Sequence, residues 1–572
     1  MKQEIISHSL FKTQIEISEN IEGRVIEFKV DLLNNYTSFK NCTFKEGVTF
    51  GLNNNKDIEI IDCTFEKGFK LFNTKRDVKL KNNNVKGELY ISKDTRNLII
   101  EKGSYDEIII QSGEGVNYSP PNFVLNNAKC DSLKFEGKEF NRILEFDNSQ
   151  IETVIIATEE INHDTLRIIG GTKIASFFYI NNHFSIPYVF DIESSEIVHF
   201  AFQSCSFLHR LEFANGKIGE LYLHKVTFNE QTIFSEHFVV NTFRFNSVKS
   251  DYEISINYNP HICTLNIDNC DLNLSFWISD EEKRDLENRI RIEINGTFNG
   301  NVHIENIPAN IHLACINSGT IFLNNIYSKK IIFQYFFNYN KLILNNFKLD
   351  KDYNVLVISE SNLNETEFLN FDFDKFDEVV ISRSNVSNML LTNTIFPKEI
   401  QIESTDSYLG YTVDFDDNIG KNVYFKDSYR QLKNVMEKHK NRHAALIYKS
   451  KEMYYQKKEL KFGFNWFTLC LNQVSNNHGI SWQKGVAFTI ILSTVFFILY
   501  NFSLISPFFC WDTLLLNRNL VFDKYIEFLA SFPKLSIVKQ ETTLSTIVII
   551  LSKVFISYGI YQTIVAFRKY GK

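Results

Sequence analysis

Proline, methionine and catalytic motifs are scarce or missing in this sequence. Only 8 prolines and 4 methionines occur among 572 residues. There is no phosphate-binding glycine loop, no HExxH or GxSxG motif and no Cys–His arrangement typical of a nucleophile. None of the nine cysteines forms a CxxC pair, and no histidine lies at zinc-ligand spacing from a cysteine pair. We therefore predict no catalytic residue, no metal site, no cofactor and no enzymatic activity.

The first 14 residues also lack the apolar run of about 7–15 residues that marks a signal peptide. We therefore expect the long N-terminal part to stay in the cytoplasm. The cysteines are then expected to be reduced thiols.

Aromatic residues and asparagine are abundant instead. The chain carries 53 Phe and 25 Tyr, and Asn recurs along most of its length. Aromatic and β-branched side chains favour strands, whereas Asn favours turns and tolerates a left-handed backbone. This composition is typical of many short strands joined by tight polar turns.

Charge is divided unequally along the chain. Residues 426–572 carry 20 Lys and Arg against 8 Asp and Glu, a net charge of +12. Residues 1–425 carry 41 basic and 60 acidic groups, a net charge of −19. Binding to a phosphate backbone needs clustered Lys and Arg. We therefore predict two parts with different surroundings and no nucleic-acid partner.

A short motif returns along residues 38–403. The sequence NCTF at 41–44 recurs as DCTF at 62–65, as SCSF at 204–207 and as NCDL at 269–272. A shorter period of five residues also appears, at Phe213, Ile218, Leu223, Phe228 and Ile233. Four sides of about five residues give a coil of about 20–22 residues in which one side chain per side points inward. The pattern predicts a β-solenoid.

The pattern resembles that of pentapeptide-repeat and related right-handed β-helix proteins. The resemblance implies a right-handed coil, so the predicted fold class is mainly β: a right-handed β-helix or solenoid with a C-terminal α-helical neck and two transmembrane helices. Cys42, Cys63, Cys205 and Cys270 share one register, which we interpret as packing at a tight inner corner rather than as a metal or redox ladder. Acidic solenoids of this kind can also mimic DNA, a less favoured alternative here.

The hydrophobic period changes after residue 425. Asp427 and Ser428 suit a helix N-cap, and helical spacing continues to about residue 461. Residues 426–461 hold 11 Lys and Arg against 4 Asp and Glu. We predict a basic neck over residues 426–462, formed by one long helix or a hairpin of two. An amphipathic pre-membrane segment follows over residues 463–484.

Two apolar stretches near the C-terminus are long enough to cross a bilayer. Residues 485–505 carry no charge, and residues 543–567 are interrupted only by Lys553. The intervening loop has four basic and four acidic groups, whereas basic residues flank both spans on the other side. The positive-inside rule then predicts an inner-membrane protein with two spans and both ends in the cytoplasm.

The predicted domains therefore follow in a fixed order along the chain. They are a cap of the solenoid (1–37), the cytoplasmic solenoid (38–425), the neck (426–462), the pre-membrane segment (463–484), the first span (485–505), an extracytoplasmic or re-entrant loop (506–542), the second span (543–567) and a cytoplasmic tail (568–572).

The order of the C-terminal segments carries a second resemblance. The neck sequence DSYRQLKNVMEKHKNRHAALIYKSKEMYYQKK is followed by SNNHGISW, a span, a loop, a span and AFRKYGK. Over roughly residues 427–572 it resembles bacterial pentapeptide-repeat membrane proteins with a C-terminal two-helix, ion-channel-like module. The resemblance implies a pore module that assembles as a homo-oligomer. The loop lacks a TVGYG-like run, so potassium selectivity is not expected.

An amphipathic stretch lies within this loop. At 100° per residue one face collects Val521, Tyr525, Phe528, Leu529 and Phe532, and the opposite face is charged. The stretch is too short to span a bilayer. It predicts either an interfacial helix on the outer leaflet or a short pore helix that dips into an oligomer.

Lys553 lies near the middle of the second span, where a charge is costly and usually faces a bundle interior, water or a partner. Its nearer helix end is about 13 Å away, which is long for a snorkelling lysine. Small and polar residues share its arc of the helical wheel: Ser545, Thr546, Ser552, Ser557, Gly559 and Thr563. With Lys553 they are the predicted pore-lining or helix-interface residues.

Two function classes remain open. In the first, the solenoid is a recognition or assembly surface that controls an oligomeric two-helix membrane module, which conducts ions or disturbs the membrane. In the second, the helices only anchor a scaffold at the inner face. The predicted partners are membrane lipid, further copies of the chain and an unidentified cytosolic protein or ligand.

Overall fold

The computed structural model describes most of the chain. The described residues are 4–6, 20–22, 24–26, 30–32, 38–51, 57–72, 77–92, 95, 97–111, 122–140, 143–161, 165–235, 237–257, 262–277, 289–349, 353–397, 399–402, 420–505, 518–530 and 542–568. The strands and helices are counted within these residues.

Parallel β-strands form a solenoid of about 14 turns, followed by six helices. The solenoid thus confirms the mainly β fold class, while the hand of its coil stays a prediction. From Glu4 to Gln203 the strands are Glu4–Ile6, Asn20–Glu22, Arg24–Ile26, Val30–Leu32, Ser38–Lys40, Thr43–Phe44, Val48–Gly51, Ile58–Ile61, Thr64–Phe65, Phe69–Phe72, Val78–Ile91, Leu98–Gln111, Asn122–Phe140, Ile143–Asp147, Gln150–Ile161, Thr165–Ile169, Lys173–Ile180, His183–Phe184 and Tyr188–Gln203.

From Ser206 to Thr392 the strands are Ser206–Phe207, Leu211–His224, Thr227–Phe228, Thr232–Phe234, Phe238–Asn246, Lys249–Asn257, Thr264–Asp268, Asp271–Trp277, Ile290–Glu305, Ala309–Asn317, Thr320–Asn324, Tyr327–Ser328, Lys330–Gln334, Phe337–Asn338, Lys341–Asn345, Lys348–Leu349, Val355–Ser359, Thr366–Leu369, Glu378–Ser382 and Leu390–Thr392. A 3-10 turn covers Phe373–Lys375.

The parallel register reproduces the repeat seen in the sequence. Thr43 pairs with Thr64 and Phe44 with Phe65, a step of 21 residues. The strands before residue 38 join the same sheet, since Asn20–Glu22 pairs in parallel with Ser38–Lys40. Each coil therefore stacks on its predecessor and buries a continuous core, as expected for a repeat architecture.

Stacked aromatic rings fill much of that core. The centroids of Phe190 and Phe213 lie 4.9 Å apart, and those of Phe213 and Phe234 lie 4.7 Å apart. The five-residue period predicts the buried positions correctly as far as Phe228. It was wrong at Ile233, which is half-buried, because the neighbouring Phe234 takes the core position. One residue more in a corner shifts every later side chain of the strand to the other face.

The recurring Asn-Cys motif marks a left-handed corner. Asn41, Asp62, Ser204 and Asn269 all have φ between 52° and 54°. Such a backbone suits Asn and Asp, whose short polar side chains tolerate it. At some Asn corners the side-chain amides also bond from coil to coil: Asn325 Nδ2 donates to Asn306 Oδ1 at 2.9 Å.

The six helices are α1 (Lys421–Lys438), α2 (Arg442–Glu459), α3 (Phe464–Asn476), α4 (Trp482–Phe502), α5 (Arg518–Ala530) and α6 (Thr543–Phe567). The neck is therefore a hairpin, which turns at Lys440 with φ 59°. The predicted start at Asp427 and Ser428 was wrong, because α1 begins at Lys421. Ser428 is buried within the helix, and its hydroxyl donates to Ile381 O at 2.8 Å.

The chain divides into two compact units. The first comprises Met1–Val357, Glu365–Val379 and Leu390–Lys398. The second comprises Ile358–Asn364, Val380–Met389 and Glu399–Lys572, so it holds the helices together with segments from the end of the solenoid.

Candidate functional site

The candidate site is the antiparallel hairpin of α4 and α6. Its ends are joined by Thr542, whose hydroxyl donates to Ser503 O at 2.8 Å. At the other end the rings of Trp482 and Phe567 lie 5.6 Å apart. Both helices are long and apolar enough to cross a membrane by length and composition.

Two glycines bring the helix backbones close together. A Cβ atom on Gly485 would lie 2.7 Å from Thr563 Oγ1, and one on Gly559 would lie 2.6 Å from Thr489 Oγ1. Each threonine hydroxyl donates to the glycine carbonyl one turn earlier in its own helix, at 2.8 and 2.9 Å. The same Gly-xxx-Thr spacing thus appears once in each helix. Small residues at this spacing favour close packing of membrane helices.

The residues predicted on the arc of Lys553 divide between two faces of α6. Ser545, Ser552 and Gly559 are buried, while Thr546, Lys553 and Thr563 are half-buried. Ser557 is exposed, so it does not belong to the packed face. The buried stripe also includes Ile556, Gln562 and Ala566. Their role as pore-lining or interface residues stays a prediction.

Ser545 has a local function at the start of α6. Thr542 is the N-cap, and its side chain accepts from the Ser545 backbone N–H at 2.9 Å. The Thr542 N–H in turn donates to Ser545 Oγ at 3.2 Å. This capping box satisfies two of the N–H groups that a helix start leaves open.

A buried polar cluster links α3 to α6, and the sequence reasoning missed it. Asn476 Nδ2 donates to Gln562 Oε1 at 2.6 Å and to Gln562 O at 3.0 Å. Asn472 Oδ1 accepts from Tyr558 OH at 2.6 Å and from Gln562 Nε2 at 3.0 Å. A polar Gln562 within an apolar stretch was a signal for such a partner, because amides inside a span need hydrogen bonds.

The turn after α3 carries a buried histidine. Asn477, His478 and Gly479 all have positive φ values, of 51°, 55° and 93°. Among the described residues no hydrogen-bond partner faces His478 Nε2. Burial, together with the nearby charges of Lys457 and Lys449, lowers the pKa of His478 to about 4.

The predicted loop helix corresponds to α5. Phe528 is buried, while Val521, Tyr525 and Leu529 are half-buried. Phe497, Phe528 and Ile556 form a small apolar cluster that joins α4, α5 and α6. The predicted fifth member, Phe532, lies outside the described residues.

Within the second unit the neck binds the end of the solenoid. Val386 N–H donates to Gln431 Oε1 at 2.8 Å, and His439 Nε2 contacts Met389 O at 3.0 Å. These contacts pair backbone groups at the end of the strand stack, where no further coil follows to bond them. The neck is therefore attached to residues 380–389 through specific hydrogen bonds.

Neither a protein-family model, nor a curated protein, nor a solved structure matches this chain.

Proposed function

We propose that this chain is a membrane-anchored β-solenoid whose C-terminal helices assemble as an oligomer and conduct ions or disturb the membrane. The solenoid then acts as a cytoplasmic surface for recognition or assembly. The supporting observation is that one hairpin combines a broad apolar surface with a charged and polar side.

The apolar surface lies on the outer faces of α4 and α6. Large apolar side chains on both helices are 36–65% exposed along their length, including Ile491, Leu499, Phe502, Val554 and Ile564. In water such a surface is an aggregation hazard, whereas hydrocarbon covers it without cost. On α3 Phe464 is also exposed, which suits an amphipathic helix at the membrane surface.

The polar side favours an assembled module over a passive anchor. Lys553 is half-buried in the middle of α6, and a lysine there needs water, a polar contact or another helix. An anchor needs no charge at this depth. The alternative scaffold function, with the helices as a simple anchor, is favoured only by the missing selectivity filter in the loop.

Reconstitution of the full chain in liposomes tests the proposal. We expect dye or ion flux from the wild-type protein and a detergent-solubilised mass that is a multiple of the 66.9 kDa chain. Lys553→Leu should still insert, because it makes the span more apolar, but it should lose flux.

Val554→Leu is the matched control, since Val554 neighbours Lys553 and lies on the exposed apolar face. It should keep both flux and mass. Wild-type flux and mass in Lys553→Leu would contradict the pore proposal and leave the anchor as the better account.

A further inference from the structure

Helix α5 packs beside α4 rather than beyond its end. The ring of Tyr525 lies 5.3 Å from that of Phe497, and the ring of Phe528 lies 5.6 Å from Phe497 and 5.7 Å from Tyr500. The contacts advance in the same order along both helices, so α5 runs in the same direction as α4.

The hydroxyl of Tyr525 contacts residues of α4 that lie still further from the C-terminal end of that helix. It forms a hydrogen bond with Ser493 and lies 3.3 Å from Thr494 Oγ1. Ser493 is nine residues before Phe502, which corresponds to about 14 Å along the helix axis. If α4 spans the bilayer, as proposed above, the middle of α5 lies within the hydrocarbon and not on its surface.

The charged residues of α5 share this depth. Asp523 is exposed, and the Glu527 side chain is 67% exposed. Lys524 Nζ contacts Glu527 Oε2 at 2.8 Å. At 100° per residue Asp523 lies nearly opposite Phe528, on the face turned away from α4. Charges at this depth are not stable against lipid, so this face needs water or protein.

Lys553 lies at the same level on α6. The rings of Phe496 and Phe555 are 5.8 Å apart, which sets residue 555 beside residue 496 of α4. Lys553 is two residues before Phe555, and because α6 runs antiparallel to α4 it lies close to the level of Phe497, whose ring contacts Tyr525. One cation on α6 and two carboxylates on α5 therefore lie in one layer of the hairpin.

We propose that the Asp523–Glu527 edge of α5 in one copy of the chain faces Lys553 on α6 of a second copy. Helix α5 is then a re-entrant helix, and its charges form a hydrated belt of opposite signs around the centre of the assembly. The inference rests on the proposed function, because it requires both the membrane and the oligomer.

Disulfide trapping between two differently tagged copies tests the contact. One full-length chain carries Glu527→Cys and the other Lys553→Cys, in a background where Cys263, Cys470 and Cys510 are Ser. After co-expression in membranes and mild oxidation, we expect a disulfide-linked species that carries both tags. Leu551→Cys replaces Lys553→Cys as the control, because Leu551 is exposed on α6 at a similar depth.

Charge reversal gives an independent measurement. Lys553→Glu alone and Glu527→Lys alone should each lose the oligomer mass, and the double variant should regain it. A wild-type protein of monomer mass would overturn the oligomer and this inference together. An intact oligomer with no trapped pair between copies, or equal trapping at Leu551→Cys, would overturn the inference alone.

Discussion

At the scale of single residues, the cysteine register has a direct explanation. The thiols of Cys42, Cys63 and Cys270 each donate to the carbonyl two residues earlier at 3.2 Å, and that of Cys205 does so at 3.4 Å. In other coils a serine takes the same place, as when Ser384 Oγ donates to Ser382 O at 2.7 Å. This position therefore requires a small hydrogen-bond donor that fits a tight, buried corner.

Replacement of Cys63 should therefore cost stability. We expect Cys63→Ala to lower the free energy of unfolding by about 1–3 kcal/mol, since it leaves a small cavity and removes the hydrogen bond from the thiol to Ile61 O. Thermal unfolding of the full chain in detergent, followed by circular dichroism, measures the change. Cys263→Ala is the control, because Cys263 is exposed. An equal effect of the two variants would contradict the packing role.

His478 predicts a pH dependence of stability. The pKa of His478 is about 4 in the folded chain against an ordinary value of 6.5. At a pH between these two values His478 is protonated in the unfolded chain but neutral in the folded chain. The free energy of unfolding therefore falls as the pH drops from about 6.5 towards 4.

The measurement compares the unfolding temperature at pH 7.5 and pH 5.0 for the wild type and His478→Asn. Asn tolerates the positive φ at this turn, so it isolates the titration from the backbone. We expect a smaller drop in the variant. The same drop in both proteins would show that other groups cause the acid sensitivity.

At the scale of helices, the hairpin of α4 and α6 depends on its two Gly-Thr pairs. Gly559→Ala places a methyl group against Thr489 Oγ1, where a Cβ would lie 2.6 Å away. We expect a lower unfolding temperature in detergent, corresponding to about 1–3 kcal/mol. Ser557→Ala, on the exposed face, should have little effect. Thr489→Ala should relieve part of the loss in the double variant, and a failure to do so would argue against this contact.

The extent of the helices was largely predictable from periodicity, whereas their contacts were not. Hydropathy located both long apolar helices, and α6 coincides with the predicted 543–567. The first was predicted from residue 485, but α4 begins three residues earlier at Trp482, because Ser481 is the N-cap and its side chain accepts from the Lys484 N–H. The polar cluster of Asn472, Asn476, Tyr558 and Gln562 escaped prediction, since residues 86 positions apart meet only when α3 packs against α6.

At the scale of the whole molecule, composition and repeat predicted the solenoid and the basic helical part. The repeat of 21 residues is a property of stacked coils, so it is visible in one sequence. A corner with one additional residue, as before Phe234, interrupts the five-residue period without changing the fold. Orientation in the membrane depends on charge balance alone, and it remains a prediction for that reason.

Labelling of single cysteines on intact cells tests this orientation. In a background where Cys263, Cys470 and Cys510 are Ser, we place cysteines at Ala530 and at Asn441, both of which are exposed. Ala530 ends α5, two residues beyond Phe528, which contacts Tyr500 near the end of α4. Asn441 lies in the neck turn.

The basic neck should stay inside. An impermeant thiol reagent should therefore label Ala530→Cys on intact cells and Asn441→Cys only after lysis. The reverse pattern would place the solenoid outside the cell.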